Sequence, residues 1–484
     1  MKKFAFFEKY KKMSVVSKAT IWFMVCSLIQ KGISFLTTPI FTRMLTKEQY
    51  GIYSVYLSWL QIFTIIATFR LDYSVFNKGM SKYSNDRDGY TSSMLGVTTL
   101  ITTVMLCVYL LFQDQINALT ELSTLITLGI FMELYTIPAI SFWSLRQRYD
   151  FRYVSVVVCT LASAILNALI GVLAVYFAED KGVARIFSCV LVNVAIGIII
   201  YIQVMRKGKK FFDLKYIKFA ILFNIPLILH YFSTYIIEQS DRIMIMKLVN
   251  VEAAALYSVA YTVGGIIKIF TAALTNTLIP LQYRLLERLD CRALRRQISS
   301  IMAGIVVLIT GVAAIGPEVV LILGGEKYLP AVYVMPPVAA SVFFSFLYTL
   351  LANIEFYFNK NKFAMKISFV GAVVNIVLNL LLIPVCGYVA AAYTTLISYI
   401  IYAVGHALYV RRIVQEKGLE EVLDMKLLAC LGVGSIALSV FISFFYQMTW
   451  VRYGIIAVLI VFVFVNRKEV YQIVKGKTFD KENQ

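Results

Sequence analysis

Two stretches of the sequence share one pattern, RMLTKEQYGIYSV at residues 43–55 and KLVNVEAAALYSV at residues 247–259, and the second begins 204 residues after the first. In each stretch a basic residue, an acidic residue and a tyrosine recur at the same spacing. They are Arg43, Glu48 and Tyr53 in the first stretch, and Lys247, Glu252 and Tyr257 in the second. Because each stretch leads into a long apolar segment, the pattern predicts an internal repeat.

Nearly the same spacing relates later positions of the two halves. Gly182 and Gly387 both open a helix after a short turn, and those two helices close on the basic pairs Arg206-Lys207 and Arg411-Arg412. Each repeat holds six apolar segments, and an even number gives both halves the same orientation in a membrane. We therefore expect two six-helix lobes related by a pseudo-twofold axis along the membrane normal, with a shared site near the midplane.

The composition identifies the class of protein. The chain has 484 residues, of which 60% are hydrophobic and only 15% are charged, whereas soluble globular domains have about 25% charged residues. Disorder is excluded because it requires low hydrophobicity. Apolar runs of about 20 residues span a bilayer as helices, since its core cannot satisfy an open backbone. The predicted fold class is therefore an all-α integral membrane protein.

Fourteen transmembrane helices are predicted, and the last two lie beyond the repeat. Their ranges are 19–42, 50–76, 92–112, 122–143, 153–177, 186–205, 219–240, 254–281, 299–323, 331–358, 366–385, 388–410, 427–447 and 453–466. They group into a basic N-terminal tail (1–18), an N-lobe with spans 1–6 (19–207), a linker (208–218), a C-lobe with spans 7–12 (219–412), spans 13 and 14 (413–466) and a C-terminal tail (467–484). Leucines among arginines at 282–298 also predict an amphipathic helix at the membrane surface.

The basic residues predict the orientation. If the N-terminus is cytoplasmic, 35 of the 46 lysines and arginines fall in cytoplasmic segments, and only 8 fall in outer loops, among them Arg185, Arg242 and Arg452. Such a bias is typical of multi-pass membrane proteins with both termini in the cytoplasm. The net charge of +19 is then explained by topology and by attraction to anionic membrane lipids, so no nucleic-acid partner is expected.

Three cations lie within the predicted spans: Lys31 in span 1, Arg70 towards the cytoplasmic end of span 2, and Lys268 in span 8. A cation at the centre of a span costs roughly 2.5–3.5 kcal/mol, so it faces the bundle interior, a partner or a wet cavity. Helical spacing places further polar side chains beside them; the candidates are Gln61, Tyr231, Tyr235, Tyr257, Tyr261 and Thr271. We expect a basic, hydroxyl-rich central cavity for a ligand that bears phosphate and sugar.

Four charged residues near this cavity are candidates for ion coupling or gating: Glu133, Glu238, Asp241 and Arg242. Structural roles are also open. Glu238 and Arg242 are four residues apart and would neutralise each other, while Arg70 would extend to the membrane interface. In a further alternative the two midplane lysines, Lys31 and Lys268, pair with buried carboxylates, Glu133 or Glu355.

Metal, disulfide and nucleotide chemistry have no support in the sequence. The seven cysteines are scattered without a CxxC pair, and the two histidines, His230 and His406, are too few for a metal cluster and are expected to be bundle residues. The chain has no GxxxxGK[ST] phosphate-binding loop. We expect no cofactor, and transport would use a Na⁺ gradient, an H⁺ gradient or the membrane potential.

Four stretches resemble the polysaccharide-transporter branch of the multidrug/oligosaccharidyl-lipid/polysaccharide (MOP) exporter superfamily, the Wzx-type flippases. They are PIFTRMLTKEQYGIYSVYLSWL (39–60), EQSDRIMIMKLVNVEAAALYSVAYTVG (238–264), ILGGEKYLPAVYVMPPV (322–338) and LNLLLIPVCGYVAAAYTTLISYIIYAVGHALYVRR (378–412). Each motif is short and degenerate, but together they span both repeats in order. The resemblance therefore extends over nearly the whole chain.

The resemblance implies two MATE-like lobes meeting in a V, with spans 1, 2, 7 and 8 lining the cleft and alternating access between the two sides. It implies export of undecaprenyl-pyrophosphate-linked repeat units, such as those of O-antigen, lipopolysaccharide or capsule, across a bacterial inner membrane, and a polysaccharide polymerase as a candidate partner. From related lipid II flippases it also implies a groove for the lipid tail at the last two helices, residues 427–466.

Three other functions remain open from the sequence. A lipid II flippase and a drug or organic-cation antiporter would keep the fold, although the antiporter would need acidic cavity residues. A membrane glycosyltransferase or polymerase would belong to a different class and would need catalytic acids or bases in a substantial outer loop. Since the predicted outer loops are short, we expect a transporter rather than an enzyme.

Overall fold

The computed structural model describes residues 13–360 and 362–465, and their regular secondary structure is helical throughout. These residues form two compact units that divide between Tyr235 and Ile236. The first twelve residues of the predicted N-terminal tail and the whole predicted C-terminal tail, 467–484, lie outside the described residues. The predicted lobe and linker boundaries stay predictions.

The first unit contains eight helices and the first part of a ninth. They are α1 (Val15–Met44), α2 (Lys47–Thr68), α3 (Ser74–Lys82), α4 (Arg87–Leu111), α5 (Gln113–Thr120), α6 (Thr124–Tyr149), α7 (Tyr153–Phe177), α8 (Lys181–Gly208) and α9 (Leu214–Leu248), counted over the described residues. Several begin at side-chain caps, as where Thr46 and Gln49 form a capping box at the start of α2.

The second unit contains the rest of α9 and eight further α-helices of the described chain. They are α10 (Val251–Glu287), α11 (Cys291–Ala314), α12 (Gly316–Gly324), α13 (Met335–Tyr357), α14 (Lys362–Cys386), α15 (Val389–Glu416), α16 (Met425–Ser443) and α17 (Thr449–Val465). A 3₁₀ helix, Glu326–Val334, leads into α13.

Most of these helices are suited to a membrane. In the described part of the chain, twelve helical segments are long and apolar enough to cross a bilayer. Helix α9 adds a bent pair, Leu214–Ile225 and Leu227–Leu248, at an angle of 61° around residue 226, a proline that cannot donate the helical hydrogen bond. Helix α17 is apolar but has only 17 residues. The chain is thus a multi-pass membrane protein, while the count of fourteen spans and the two-lobe arrangement stay predictions.

The core of the first unit lies where α3, α4, α6 and α8 meet, around Phe76, Tyr90 and Phe142. Helix α4 approaches the segment before α9 so closely that a Cβ at Gly96 would lie 1.8 Å from the carbonyl oxygen of Phe211. Glycine is therefore the residue that fits there.

An ion pair fastens the segment before α9 to the start of α4. Lys210 Nζ lies 2.7 Å from Asp86 Oδ2, and the hydroxyl of Tyr216 donates to the same oxygen at 2.6 Å. Asp86 also caps α4 by accepting from the backbone of Gly89. Partial burial acts to raise the pKa of Asp86, but these hydrogen bonds outweigh it and hold that pKa below its ordinary value.

Helix α13 is the centre of the second unit and is buried along nearly its whole length. It packs against α10, α11, α15 and α16, which is expected of a helix that is apolar on all faces. A predicted surface element is part of this core instead. Leu285 at the end of α10 and Leu294 at the start of α11 are both buried, so the prediction of an amphipathic surface helix at 282–298 is wrong.

Two predicted spans are interrupted. The predicted span 50–76 ends at Thr68, and a separate short helix, α3, follows a turn. The predicted span 299–323 is divided at Ile315 into α11 and α12. The first break carries Arg70 and Asp72, and the second carries Gly316, Pro317 and Glu318. Mean hydropathy over a whole span conceals such short polar and helix-breaking groups.

Candidate functional site

Arg70 lies in a turn between α2 and α3, not within a helix as the sequence pattern predicts. Phe69 and Arg70 have left-handed backbone conformations, with φ of 48° and 51°, which non-glycine residues adopt at some cost. Gln61 is exposed on α2, and this helix ends at Thr68. The helical face that carries Gln61 therefore does not continue to Asp72.

The turn places the Arg70 guanidinium among three tyrosines of the first unit, a group we call the Arg70 cluster: Arg70, Asp72, Tyr73, Tyr231 and Tyr235. The guanidinium carbon of Arg70, Cζ, lies 4.5 Å, 5.8 Å and 5.1 Å from the ring centres of Tyr73, Tyr231 and Tyr235. Asp72 forms a loose ion pair with Arg70 at 4.0 Å, and both side chains are 12% exposed. The structure thus brings together three of the predicted site residues, Arg70, Tyr231 and Tyr235.

Polar atoms in and beside the Arg70 cluster lack partners. Arg70 Nε and Asp72 Oδ1 are buried without a hydrogen bond to any described residue, and so is Oδ1 of the neighbouring Asn224. The Asn224 amide nitrogen donates to the carbonyl oxygen of Phe69 in the same turn. Buried polar groups are usually satisfied, so these atoms are suited to a polar ligand.

Lys268 does not present an uncompensated charge. Its ammonium group lies 3.0 Å from Glu238 Oε1 and donates to the Tyr261 hydroxyl at 3.2 Å. Lys268 and Glu238 are 29% and 34% exposed, so the pair is accessible. The hydroxyl of Thr271, predicted to face the ligand, donates to the carbonyl oxygen of Lys268.

The alternative pairings proposed from the sequence are wrong for Lys268 and Glu238. Arg242 donates a hydrogen bond of 3.0 Å to the backbone oxygen of Glu238, and it does not bind the Glu238 carboxylate. It also donates to the side chains of Gln239 and Ser258. Arg242 also lies over the Tyr261 ring, 4.8 Å from its centre. Glu133 and Glu355 have other partners, so neither pairs with Lys268.

Lys31 lies near the middle of α1 and is exposed. It has no hydrogen bond or ion pair with any residue that the structure describes, so it does not pair with Glu133 or Glu355, and it makes no contact of those kinds with the Arg70 cluster. Its place in a ligand site stays a prediction.

Asp241 is at the centre of a buried polar cluster in the second unit, which we call the Asp241 cluster. It is 1% exposed and accepts hydrogen bonds from Tyr257, from Thr395 at 2.7 Å and from Asn379 at 2.8 Å. Asn375 extends the cluster by accepting from Asn379 at 3.3 Å. Tyr257 is therefore a buried partner of Asp241, and not the lining of an open cavity that its helical stripe predicts.

Glu133 occupies a comparable position in the first unit. It is fully buried on α6 and accepts hydrogen bonds from Tyr56 on α2 and Asn193 on α8. No described lysine, arginine or histidine pairs with it, so Glu133 is a solitary buried carboxyl.

The sequence prediction placed two arginines in outer loops that the structure shows as buried in helices. Arg185 lies in α8, is 7% exposed, and donates to the Tyr53 hydroxyl at 3.0 Å. Arg452 lies in α17, is 2% exposed, and binds Glu318 through two hydrogen bonds of 2.6 Å and 2.8 Å. The signal available in the sequence was that both arginines stand within apolar runs.

An apolar groove lies in the second unit between α11, α16 and α17. It has a volume of about 480 Å³ and is lined by side chains that include Val306, Leu438, Gly454 and Val458. The α16 and α17 sides of the groove fall in the range, 427–466, that the family resemblance associates with a lipid tail, and the α11 side lies outside it.

The chain has relatives among surface-glycan proteins. Residues 16–286 match the family described as polysaccharide biosynthesis protein. The "Lsg locus putative protein 1" of Haemophilus influenzae is 24% identical over 398 residues, which cover 80% of this chain and 94% of that protein. The "Probable low-salt glycan biosynthesis flippase Agl15" of Haloferax volcanii is 21% identical over 419 residues, which cover 83% of this chain and 85% of that protein.

Solved structures show the same fold. The lipid II flippase MurJ in an inward closed conformation matches with a TM-score of 0.68 at 11% identity, over 93% of this chain and 100% of that chain. An inward-facing multidrug transporter of the MATE family, in the MOP superfamily, matches with a TM-score of 0.59 at 9% identity, over 80% of this chain and 95% of that chain. The family match thus confirms the resemblance that the four motifs carry, and these solved structures show the fold. Since the matched residues make up more than half of its length, the chain belongs to the polysaccharide biosynthesis protein family.

Proposed function

We propose that the chain is a flippase that moves undecaprenyl-pyrophosphate-linked polysaccharide repeat units from the cytoplasmic to the outer leaflet of a bacterial inner membrane. Membership of the family supports a transporter of lipid-linked glycans rather than an enzyme. The identity of the carrier lipid, the direction of movement and the cytoplasmic position of both termini are parts of the proposal.

The Arg70 cluster carries this proposal. A guanidinium group binds phosphate oxygens through paired donors, and Arg70 has a buried Nε without a partner and only a loose ion pair to Asp72. Tyrosine rings beside it offer flat surfaces and hydroxyl groups that suit a sugar. The cluster therefore fits a head group in which a pyrophosphate is joined to a glycan.

Lys268 contributes by exchange of partners in this proposal. Because the Lys268–Glu238 pair is accessible, an incoming phosphate can replace Glu238 as the partner of the ammonium group. Such an exchange couples ligand binding to the position of α9, which carries Glu238. Lys31 and Gln61 are proposed as further contacts, since each is exposed on a helix of the first unit.

The polyprenyl tail is proposed to lie in the groove between α11, α16 and α17. The groove is lined almost entirely by apolar side chains, and burial of apolar surface contributes about 25 cal/mol per Å². A ligand with a charged head and a long apolar tail thereby meets two different environments in the chain.

Ion coupling is proposed at the Asp241 cluster. A buried carboxylate with amide and hydroxyl oxygens around it provides the hard ligands that Na⁺ prefers, and it equally accepts a proton. Either ion would neutralise Asp241 and so favour one of the two conformations in an alternating-access cycle. Glu133 is the corresponding candidate in the first unit.

The alternative functions differ in what the Arg70 cluster must bind. A lipid II flippase also needs a phosphate site, so the fold match to MurJ supports the mechanism and leaves the glycan as part of the proposal. A drug or organic-cation antiporter would need an accessible carboxylate free to meet the cation, whereas the accessible Glu238 is paired with Lys268.

Deletion of the gene in the native host tests the function. We expect loss of surface polysaccharide and accumulation of lipid-linked repeat units in the cytoplasmic leaflet.

Arg70→Ala should fail to restore export, while Arg70→Lys should restore it in part, because lysine keeps the charge and loses the planar stacking on the tyrosines. The matched control is Arg206→Ala, which removes an exposed arginine at the end of α8. Full export by Arg70→Ala at normal protein level would contradict the role of the cluster, and unaltered surface polysaccharide in the deletion strain would contradict the function.

A further inference from the structure

The second unit encloses a histidine–carboxylate pair that the proposed function does not use. His406 Nδ1 on α15 lies 2.6 Å from Glu355 Oε1 on α13, and the two side chains are 1% and 0% exposed. The second carboxylate oxygen, Glu355 Oε2, is buried and has no hydrogen bond to any described residue. Ionisable side chains are rare inside membrane bundles and are frequently parts of proton pathways.

The surroundings of the pair are aromatic. The ring of Tyr348 on α13 stacks on His406 with centres 5.7 Å apart, and Phe363 on α14 meets the imidazole edge-on at 6.1 Å. Tyr402, one turn before His406 on α15, also contacts the Tyr348 ring and donates its hydroxyl to the carbonyl oxygen of Ser368. Among the described residues no other acid or base forms an ion pair with either member.

The charge of the pair depends on how many protons it holds. With one proton the pair has no net charge, whether the proton lies on the imidazole or on the carboxyl group. A second proton gives a net charge of +1, and Glu355 Oε2 is an oxygen left open to receive it. Loss of the shared proton gives −1. A net charge is costly in a dry interior, so each change of protonation favours a conformation that admits water.

We infer that His406 and Glu355 form a proton-binding site, which exchanges one proton with cytoplasmic water as the second unit changes conformation. The step is a proton transfer alone: water on the cytoplasmic side supplies the proton, and no other bond forms or breaks. The inference concerns the proton as a ligand and holds whatever lipid the chain transports.

Glu355 lies close to an exposed end of its helix. Glu355 is two residues from the end of α13, and its carbonyl oxygen accepts from the backbone of Lys360 at 2.9 Å. Lys360 in turn pairs through its side chain with Glu416, at the end of α15, at 3.6 Å. These are exposed residues at the end of the unit that the distribution of basic residues predicts to be cytoplasmic.

Aromatic contacts also connect the pair to Lys268. Tyr348 stacks on Tyr399 with ring centres 6.1 Å apart, and the Lys268 ammonium lies 5.9 Å from the centre of the Tyr399 ring. Three consecutive ring contacts therefore separate the pair from the partly exposed Lys268.

Infrared difference spectroscopy tests the inference on full-length protein in lipid nanodiscs. Spectra recorded over roughly pH 5 to 8, where histidine titrates, should show a protonated carboxylic acid band that grows as the pH falls. Glu355→Gln should remove this band, and His406→Gln should move its midpoint by about one pH unit or more. Either variant suffices if the other fails to fold.

Tyr402→Phe is the matched control, since it removes a buried hydroxyl from the same helix without removing an acid or base, and it should keep the band. The absence of a titrating band in the unsubstituted protein would overturn the inference, as would a band that both variants leave unchanged. Because the measurement needs no substrate, it separates a failure of the proton site from a failure of the proposed flippase function.

Discussion

At the scale of single residues, Arg70 shows how a turn can create a site that a helix cannot. Phe69 and Arg70 both have left-handed backbone conformations, so the chain turns away from the axis of α2. The Arg70 guanidinium then contacts three tyrosine rings. Each cation–π contact contributes about 0.5–2 kcal/mol. Phe69 and Leu71 continue the apolar run and no glycine marks the left-handed positions, so only the charges of Arg70 and Asp72 distinguish this turn in the sequence.

Asp241 provides a test of ion coupling at this scale. Asp241→Asn should abolish transport, because it removes the charge that a cation or proton neutralises. If Na⁺ is the ion, the melting temperature of the purified protein should rise with NaCl and not with choline chloride, since a bound ion stabilises the folded state. The variant should lose this rise.

Ser398→Ala is the control for Asp241→Asn. Ser398 is buried on the same helix as Thr395, and its hydroxyl only returns to the backbone of Thr394. A Na⁺-dependent rise that persists in Asp241→Asn would exclude this cluster as the Na⁺ site. Transport that is driven by a pH gradient in the natural chain and lost in Asp241→Asn but kept in Ser398→Ala would instead favour a proton at this cluster.

The Asp86–Lys210 pair predicts a pH dependence outside the membrane. The pKa of Asp86 is lowered in the folded protein, so its contribution to stability is present above the ordinary value of about 4 and is lost as the pH falls through the lower folded pKa. Asp86→Asn keeps the helix cap, since asparagine caps as well as aspartate. The melting temperatures of the two proteins should therefore differ at neutral pH and converge below about pH 4. A difference that is constant with pH would mean that the charge of Asp86 is not responsible.

At the scale of helices, hydropathy predicted the apolar segments and failed at their interruptions. The run 299–323 is apolar on average, but Gly316 and Pro317 mark the place where α11 has ended and α12 begins. The break places Glu318 on α12, where it pairs with Arg452 of α17. Such a pair links residues far apart in sequence, and helical periodicity within a single segment cannot reveal it.

The groove between α11, α16 and α17 gives a prediction for these elements. A Cβ at Gly454 would meet no atom within 4 Å, so Gly454→Phe should fold and place a ring in the groove. We expect it to reduce export of a substrate with a long polyprenyl tail by roughly tenfold, which corresponds to about 1.4 kcal/mol. The measure is export by complemented deletion cells.

Val461→Phe is the comparison for the groove, because Val461 lies on the same helix, is 61% exposed and does not line the groove. It should leave export unchanged. Equal export by the two variants would indicate that the tail lies elsewhere.

At the scale of the whole molecule, the orientation in the membrane is open to a direct test. Cys386, at the end of α14, is exposed and is predicted to face outward, whereas Lys417, after α15, is predicted to face the cytoplasm. In a chain whose other cysteines are replaced, a membrane-impermeant maleimide should label Cys386 in intact spheroplasts. In a cysteine-free chain, Lys417→Cys should be labelled only after the membrane is opened. The reverse pattern would invert the predicted topology.

The sequence predicted the class of fold better than the chemistry of the site. Composition and the spacing of apolar runs are properties of the whole chain, so they identified a multi-pass helical protein, while four short motifs indicated its family. The partners of individual charges depend on packing between distant helices. For this reason Lys268 was predicted as a free cation although Glu238 compensates it, and Arg185 was assigned to a loop although it is buried beside Tyr53.

The two tyrosines of the opening repeat, Tyr53 and Tyr257, have become unlike in their surroundings. Tyr53 accepts a hydrogen bond from a buried arginine, whereas Tyr257 donates one to a buried aspartate. A fusion of two first halves would thus carry a guanidinium beside each tyrosine, and a fusion of two second halves would carry a carboxylate beside each. The two copies of the sequence pattern are therefore not interchangeable, and we expect neither fusion to export like the natural chain.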